Sequence, residues 1–131
     1  MGQANRMTKP SLLLVESDDM IRNVLISALE KFGYSSVAVD TAEDGSQILN
    51  NKRFDVIISD YDLKDTTGLE FLKSLKSVYP EKTNVLMISY GDVENVSETK
   101  DYGIHHVIEK PFLFEELLNI IEGVTKNSLV A

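Results

Sequence analysis

Glu16-Ser17-Asp18-Asp19, Asp60, Ser89 and Lys110 each stand at or just past the end of a short apolar run. Carboxylates gathered from such ends would repel one another, by roughly 4 kcal/mol for two charges about 4 Å apart at an effective dielectric near 20. A cluster of that kind either binds its protons more tightly or binds a cation. Ligands that are all oxygen select a hard ion, and Mg²⁺ is the usual choice where phosphate chemistry is involved. A carboxylate beside that ion can attack a phosphoryl group and form an acyl phosphate. Charge on the transferring group then needs a metal, an ammonium and a hydroxyl or amide donor around it. Asp60, Lys110 and Ser89 supply nucleophile, ammonium and hydroxyl. Taken singly, each has an ordinary reading as well: Asp60 as a loop acid or helix cap, Asp18 or Asp19 as the cap of the next helix.

The elements that would position these residues are legible from periodicity. Ser11–Val15, Tyr34–Val39, Phe54–Ser59, Val85–Ile88 and His105–Glu109 read as strands, and the Val56-Ile57-Ile58 run suits a strand buried on both faces. Between them lie helical patterns. The first carries Ile21, Val24, Leu25, Ala28, Leu29 and Phe32 on one face and stops at Gly33. A short second helix begins at Thr41, with Asp44 in a capping-box-like position and Gly45 weakening it. Leu69, Phe71, Leu72, Leu75 and Val78 mark a third. Asp92–Tyr102 is a weak fourth pattern ended by Gly103, and Phe114 to about Val124 is the last. Strands alternating with amphipathic helices imply a doubly wound α/β fold of (βα)₅ form, with a parallel sheet covered on both faces. Right-handed crossovers leave few topologies. The flavodoxin-like order 2-1-3-4-5 places a switch point between strands one and three, with a crevice at their carboxyl ends. In that order Glu16, Asp60, Ser89 and Lys110 share one rim.

Length and composition agree with one domain. The chain has 131 residues, 43% of them hydrophobic, no cysteine and a formal net charge of −8. The absence of cysteine excludes disulfides and thiolate metal sites. The acidic balance argues against direct nucleic-acid contact and against an anionic membrane surface. No apolar run approaches membrane-spanning length and no signal-peptide pattern opens the chain, so a cytoplasmic protein is expected. Residues 1–10 read as a flexible N-terminal arm, 11–124 as the domain and 125–131 as a C-terminal tail. No GxGxxG or GKS/GKT loop is present, which disfavours Rossmann or P-loop nucleotide binding and a flavin carrier of similar fold.

The acidic end of strand one, Asp60 with Gly68 eight positions on, Ser89, and Lys110-Pro111-Phe112 together resemble the receiver domain of two-component response regulators, of the chemotaxis-regulator kind. The resemblance runs from about Ser11 to Val124. Each motif is weak alone; the ordered set is specific. The 2-1-3-4-5 order is itself typical of that family, so the resemblance carries it as much as the crossover rule does. The resemblance implies that Asp60 is a phosphoacceptor and that Glu16, Asp60 and the Asp62 backbone carbonyl hold Mg²⁺. It implies that Ser89 and Lys110 contact the phosphoryl group, and that the Lys110–Pro111 bond is cis. It also implies a sensor histidine kinase or phosphotransfer protein as donor and a downstream protein or output domain as reader. A domain of this kind accepts a phosphoryl group and is not a turnover enzyme.

Some positions depart from the family pattern. Ser17 stands where a second acid usually ligates Mg²⁺, so weaker metal binding is expected. Asp18 is a poor substitute, because strand alternation points it elsewhere. Lys64 replaces a frequent proline. Tyr90 replaces a small residue beside Ser89. Val107 occupies the place of an aromatic switch residue, so a readout through that ring is not expected. These departures motivate an alternative: a pseudo-receiver, an interaction module with little or no phosphorylation. His105 and His106 are adjacent and face opposite ways along a strand, which makes them a poor metal pair; they read as surface or edge residues, and Tyr61 and Tyr79 as packing or surface residues. After residue 124 only the short tail remains, so the sequence reads as a stand-alone receiver or a segment of a longer regulator or hybrid kinase.

Overall fold

The computed structural model describes residues 9–79, 82–89 and 99–130, with side chains described in 9–79, 82–89 and 101–124. Ten elements follow in order among the described residues. They are β1 (Leu12–Val15), α1 (Asp19–Lys31), β2 (Ser36–Val39), α2 (Ala42–Leu49), β3 (Val56–Asp60), α3 (Gly68–Leu75), β4 (Thr83–Ile88), a 3₁₀ turn (Thr99–Tyr102), β5 (His106–Glu109) and α4 (Phe114–Val130). The sheet is parallel throughout, in the order β2-β1-β3-β4-β5. The order expected from the sequence is therefore the one found. The helix expected over Asp92–Tyr102 lies largely outside the described residues; its described end is the 3₁₀ turn.

Side chains of a strand alternate between faces, so each buried strand feeds two cores. Leu13, Val15, Ile57, Leu86 and Ile88 pack with α2 and α3 through Leu49, Leu69, Phe71, Leu72 and Leu75. Leu12, Leu14, Val56, Ile58, Val85 and Met87 pack with α1 and α4 through Leu25, Leu29, Leu117 and Ile121. Every residue of β1 and β3 is buried, which explains their uninterrupted apolar runs. Both ends of β3 matter here, because its last buried residue is Asp60.

Local chemistry sets the boundaries. Asp18 caps α1, its carboxylate accepting the Ile21 amide at 2.9 Å, and Gly33 past the end takes φ 84°. Thr41 caps α2 by accepting the Asp44 amide, and Thr67 caps α3 by accepting the Glu70 amide. Gly45 serves packing rather than merely weakening α2: a Cβ there would lie 3.1 Å from the Phe71 ring and 3.3 Å from Val15. Some faces read from periodicity are narrower in the structure. Val24, Phe32 and Val78 are exposed, because α1 buries only Leu25 and Leu29 fully and α3 ends at Leu75. The last helix runs on to Val130, past the expected Val124. At the other end Pro10 is buried and the Lys9 ammonium sits 4.7 Å from the Tyr34 ring centroid.

Candidate functional site

The carboxyl ends of β1, β3 and β5 converge as the switch point requires. Glu16 follows β1 and is 1% exposed; Asp60 closes β3 and is 8% exposed. Two buried acids so close need a counter-charge. Lys110, just past β5, provides it: its Nζ lies 2.8 Å from Glu16 Oε1 and 2.9 Å from Asp60 Oδ1. One ammonium thus joins both acids, and Lys110 stands 94 positions from Glu16 in sequence. The other Glu16 oxygen, Oε2, accepts the Asp18 amide at 3.0 Å. The Lys110–Pro111 bond is cis, as expected.

The electrostatics follow from burial. Burial raises the Asp60 carboxyl above its ordinary value, and Glu16 pushes the same way against the pull of Lys110. For Lys110, burial works to lower the ammonium, but hydrogen bonds and charge from Glu16 and Asp60 win and hold it above its ordinary value. The pocket therefore keeps a charged lysine against two acids.

Glycine at position 68 has a steric cause. A Cβ there would fall 2.0 Å from the Asp60 carbonyl oxygen and 2.8 Å from Ser59 Oγ. The Gly68 amide donates to the Tyr61 carbonyl at 2.7 Å, closing the loop between β3 and α3. Inside it the Leu63 amide donates to Thr66 O at 3.1 Å, and Asp62 bridges Thr67 in antiparallel fashion. The loop is a small internally bonded hairpin rooted at Asp60.

Ser17 does not point its hydroxyl toward open coordination. Its Oγ donates to the Asp40 carbonyl at 2.7 Å and accepts the Lys64 amide at 3.0 Å. Lys64 Nζ pairs with Asp40 Oδ2 at 2.7 Å, which holds the Asp40 carboxyl below its ordinary value. Asp65 accepts the amides of Ala42 and Glu43 at 3.0 and 2.9 Å; burial works to raise its carboxyl, and these amides outweigh it. Sequence reading missed the roles of Asp40 and Asp65. A hydrophilic residue 22 positions from the amide it caps leaves no periodic trace.

The remaining candidates fall as follows. Ser89 comes directly after β4 and is exposed, on the same end of the sheet. Asp62 is exposed on the hairpin. Tyr90 lies outside the described residues. Val107 is partly exposed on the edge strand. His105 and His106 lie elsewhere, at the start of β5, where His105 Nδ1 accepts the Asn84 amide at 3.0 Å. Tyr61 packs on the core, and the Tyr79 hydroxyl donates to Leu49 O. For a hard cation, Glu16, Asp60 and a loop carbonyl are suitable oxygen donors, since Mg²⁺ usually takes one or two carboxylates and keeps waters. Among the described residues there is no group of three or more His, Cys, Asp or Glu able to hold a metal.

The family model of the response regulator receiver domain matches residues 12–122. The chain belongs to the receiver family of two-component response regulators. Similar proteins include the DNA-binding transcriptional regulator NtrC of Proteus hauseri, 32% identical over 116 residues, covering 88% of this chain and 24% of that protein. The response regulator FleR of Pseudomonas aeruginosa is 33% identical over 110 residues, covering 84% of this chain and 23% of that one. The chain thus spans about a quarter of the length of these relatives. Among solved structures, a CheY-like receiver from Methanospirillum hungatei superposes with a TM-score of 0.85 at 25% identity, covering 92% of this chain and 96% of that one. Receiver domains are signalling domains rather than turnover enzymes, and they generally bind Mg²⁺. No helix among the described residues is long and apolar enough to cross a membrane.

Proposed function

We propose that this receiver accepts a phosphoryl group on Asp60 from a histidine kinase or phosphotransfer protein and thereby switches a protein-interaction surface. The observation that carries the reading is the buried Glu16–Lys110–Asp60 bridge at the carboxyl ends of the strands. In the transfer, a carboxylate oxygen of Asp60 attacks phosphorus. The bond from phosphorus to the donor nitrogen breaks, its electron pair leaves with the donor imidazole, and an acyl phosphate forms. Lys110 keeps an ammonium beside the oxygens that gain charge, and Ser89 stands on the same rim to donate a hydroxyl. Glu16, Asp60 and the Asp62 carbonyl would hold Mg²⁺, which when bound neutralises charge on the phosphoryl oxygens.

An apolar groove supports docking of the donor beside Asp60. A groove of ≈ 550 Å³ beside Lys110 is lined by Met20, Ile21, Val24, Pro111, Phe112 and Phe114. Met20 is 75% and Val24 62% exposed, an apolar patch contiguous with the residue that touches Asp60. A partner carrying a phosphorylated histidine would cover this patch while presenting its phosphoryl group to Asp60. The expected setting is the cytoplasm, where such donors act.

A second reading is the pseudo-receiver, favoured by the engagement of Ser17 with Asp40 and Lys64. Intact-protein mass after incubation with Mg²⁺ and acetyl phosphate separates the two. A single phosphoryl adduct on the parent, absent from Asp60→Asn, is expected. No adduct with either acetyl phosphate or a kinase, at saturating Mg²⁺, would leave the pseudo-receiver.

A further inference from the structure

The hairpin between Asp60 and Gly68 connects two places that the proposed chemistry does not by itself connect. Its base is the phosphoacceptor: Tyr61 is the next residue, and the Gly68 backbone touches the Asp60 carbonyl so closely that no Cβ fits. Its tip is bound to the junction of β2 and α2. Lys64 pairs with Asp40, the Lys64 amide donates to Ser17, and Asp65 accepts the amides of Ala42 and Glu43, the opening residues of α2. Between base and tip the hairpin is closed by its own hydrogen bonds, from Gly68 to Tyr61 and from Leu63 to Thr66. These hydrogen bonds join the base of the hairpin to its tip.

We propose that the start of α2 is a readout of phosphorylation in this protein, coupled to Asp60 through the hairpin and held by Asp65, Lys64 and Ser17. The inference rests on Asp60 being the phosphoacceptor. Phosphorylation replaces the single negative charge of the Asp60 carboxylate with a phosphoryl group carrying about −1.5 to −2, next to the Glu16 carboxylate and against a single ammonium. The hairpin base must adjust to that charge. Asp65 then changes its grip on Ala42 and Glu43, and α2 has two arrangements for the phosphoryl group to select between. Val107, aliphatic where an aromatic ring would turn, offers no comparable device on β5.

The test uses the parent chain with Mg²⁺ and acetyl phosphate, followed by intact mass and backbone amide NMR on the same sample. Adduct formation with displaced Ala42 and Glu43 amide signals is expected in the parent, and neither in Asp60→Asn. In Asp65→Ala the adduct should still form while these two signals no longer respond. Ser17→Ala, which removes a neutral hydroxyl that accepts the Lys64 amide of the tip, should weaken the response without removing the adduct. Amides of β1 and β3 report that each variant is folded. An adduct in the parent with unmoved Ala42 and Glu43 signals overturns the coupling and leaves the phosphoacceptor reading standing. A response that survives intact in folded Asp65→Ala overturns it as well. No adduct in the parent removes the phosphoacceptor reading and this inference with it.

Discussion

Lys110 is the counter-charge for two acids, and its single ammonium does not cancel both. Asp60 bears the consequence. Its carboxyl is raised from the ordinary 3.8 by burial and by Glu16, so the folded chain holds that proton more tightly than the unfolded chain does. Stability from this group is present below the unfolded value and is lost as pH rises through the folded one. Asp60→Asn removes the cost while keeping the shape. Without metal, the variant should melt a few degrees above the parent at pH 7, about 4 °C for each kcal/mol in a domain of this size. The gap should narrow toward pH 4; a parent that melts as high as the variant at pH 7 contradicts the reading. Ser17 supplies a second test at this scale. Ser17→Asp gives the pocket another carboxylate and is expected to tighten Mg²⁺ binding about tenfold in a calorimetric titration. It also gives up the hydroxyl proton donated to Asp40 O. Unchanged affinity would place position 17 outside the metal's reach.

Elements of this fold meet at backbone distances, and the glycines record it. Gly68 opens α3 with its Cα pressed on the Asp60 carbonyl, and backbone there cannot yield as a flexible side chain would. Gly68→Ala should therefore cost about 3 kcal/mol in urea unfolding, at the top of the range for overpacking, and should move the Asp60 and Tyr61 amide signals. A variant as stable as the parent would show that the hairpin shifts freely. Helical periodicity in α1 and α3 found the buried pairs Leu25–Leu29 and Leu72–Leu75. It overreached at Val24 and Phe32, which stay exposed, Phe32 past the helix end with its ring centroid 5.6 Å from that of Phe114. Nothing in one-dimensional pattern separates an apolar residue of the core from an exposed one beside it.

Across the whole molecule, the strands belong to both cores at once. Leu13 points to one and Leu12 and Leu14 to the other, so neither layer can melt and leave the sheet intact. Equilibrium unfolding in urea should be a single transition, with far-ultraviolet dichroism and tyrosine fluorescence coinciding and a slope of about 1–3 kcal/mol per molar. Separated transitions would mean that the α2–α3 layer detaches from the α1–α4 layer.

What the sequence by itself determined was local in origin. Burial on both faces writes β1 and β3 as unbroken apolar runs, caps write helix starts as Asp18 or Asp19 and as Thr41, and the alternation of strand and helix narrows the topology to few options. The same rules put Glu16, Asp60, Ser89 and Lys110 on strand ends before any coordinate is known. Only the tertiary structure decided that one ammonium bridges both acids, and that the Ser17 hydroxyl is engaged by Asp40 and Lys64. The same holds for Asp65, which caps a helix that precedes it in the chain by more than twenty residues. Those contacts join residues with no periodic relation. Their partners are chosen by how the loops lie over the sheet, and that depends on packing of the whole chain rather than on any stretch of it.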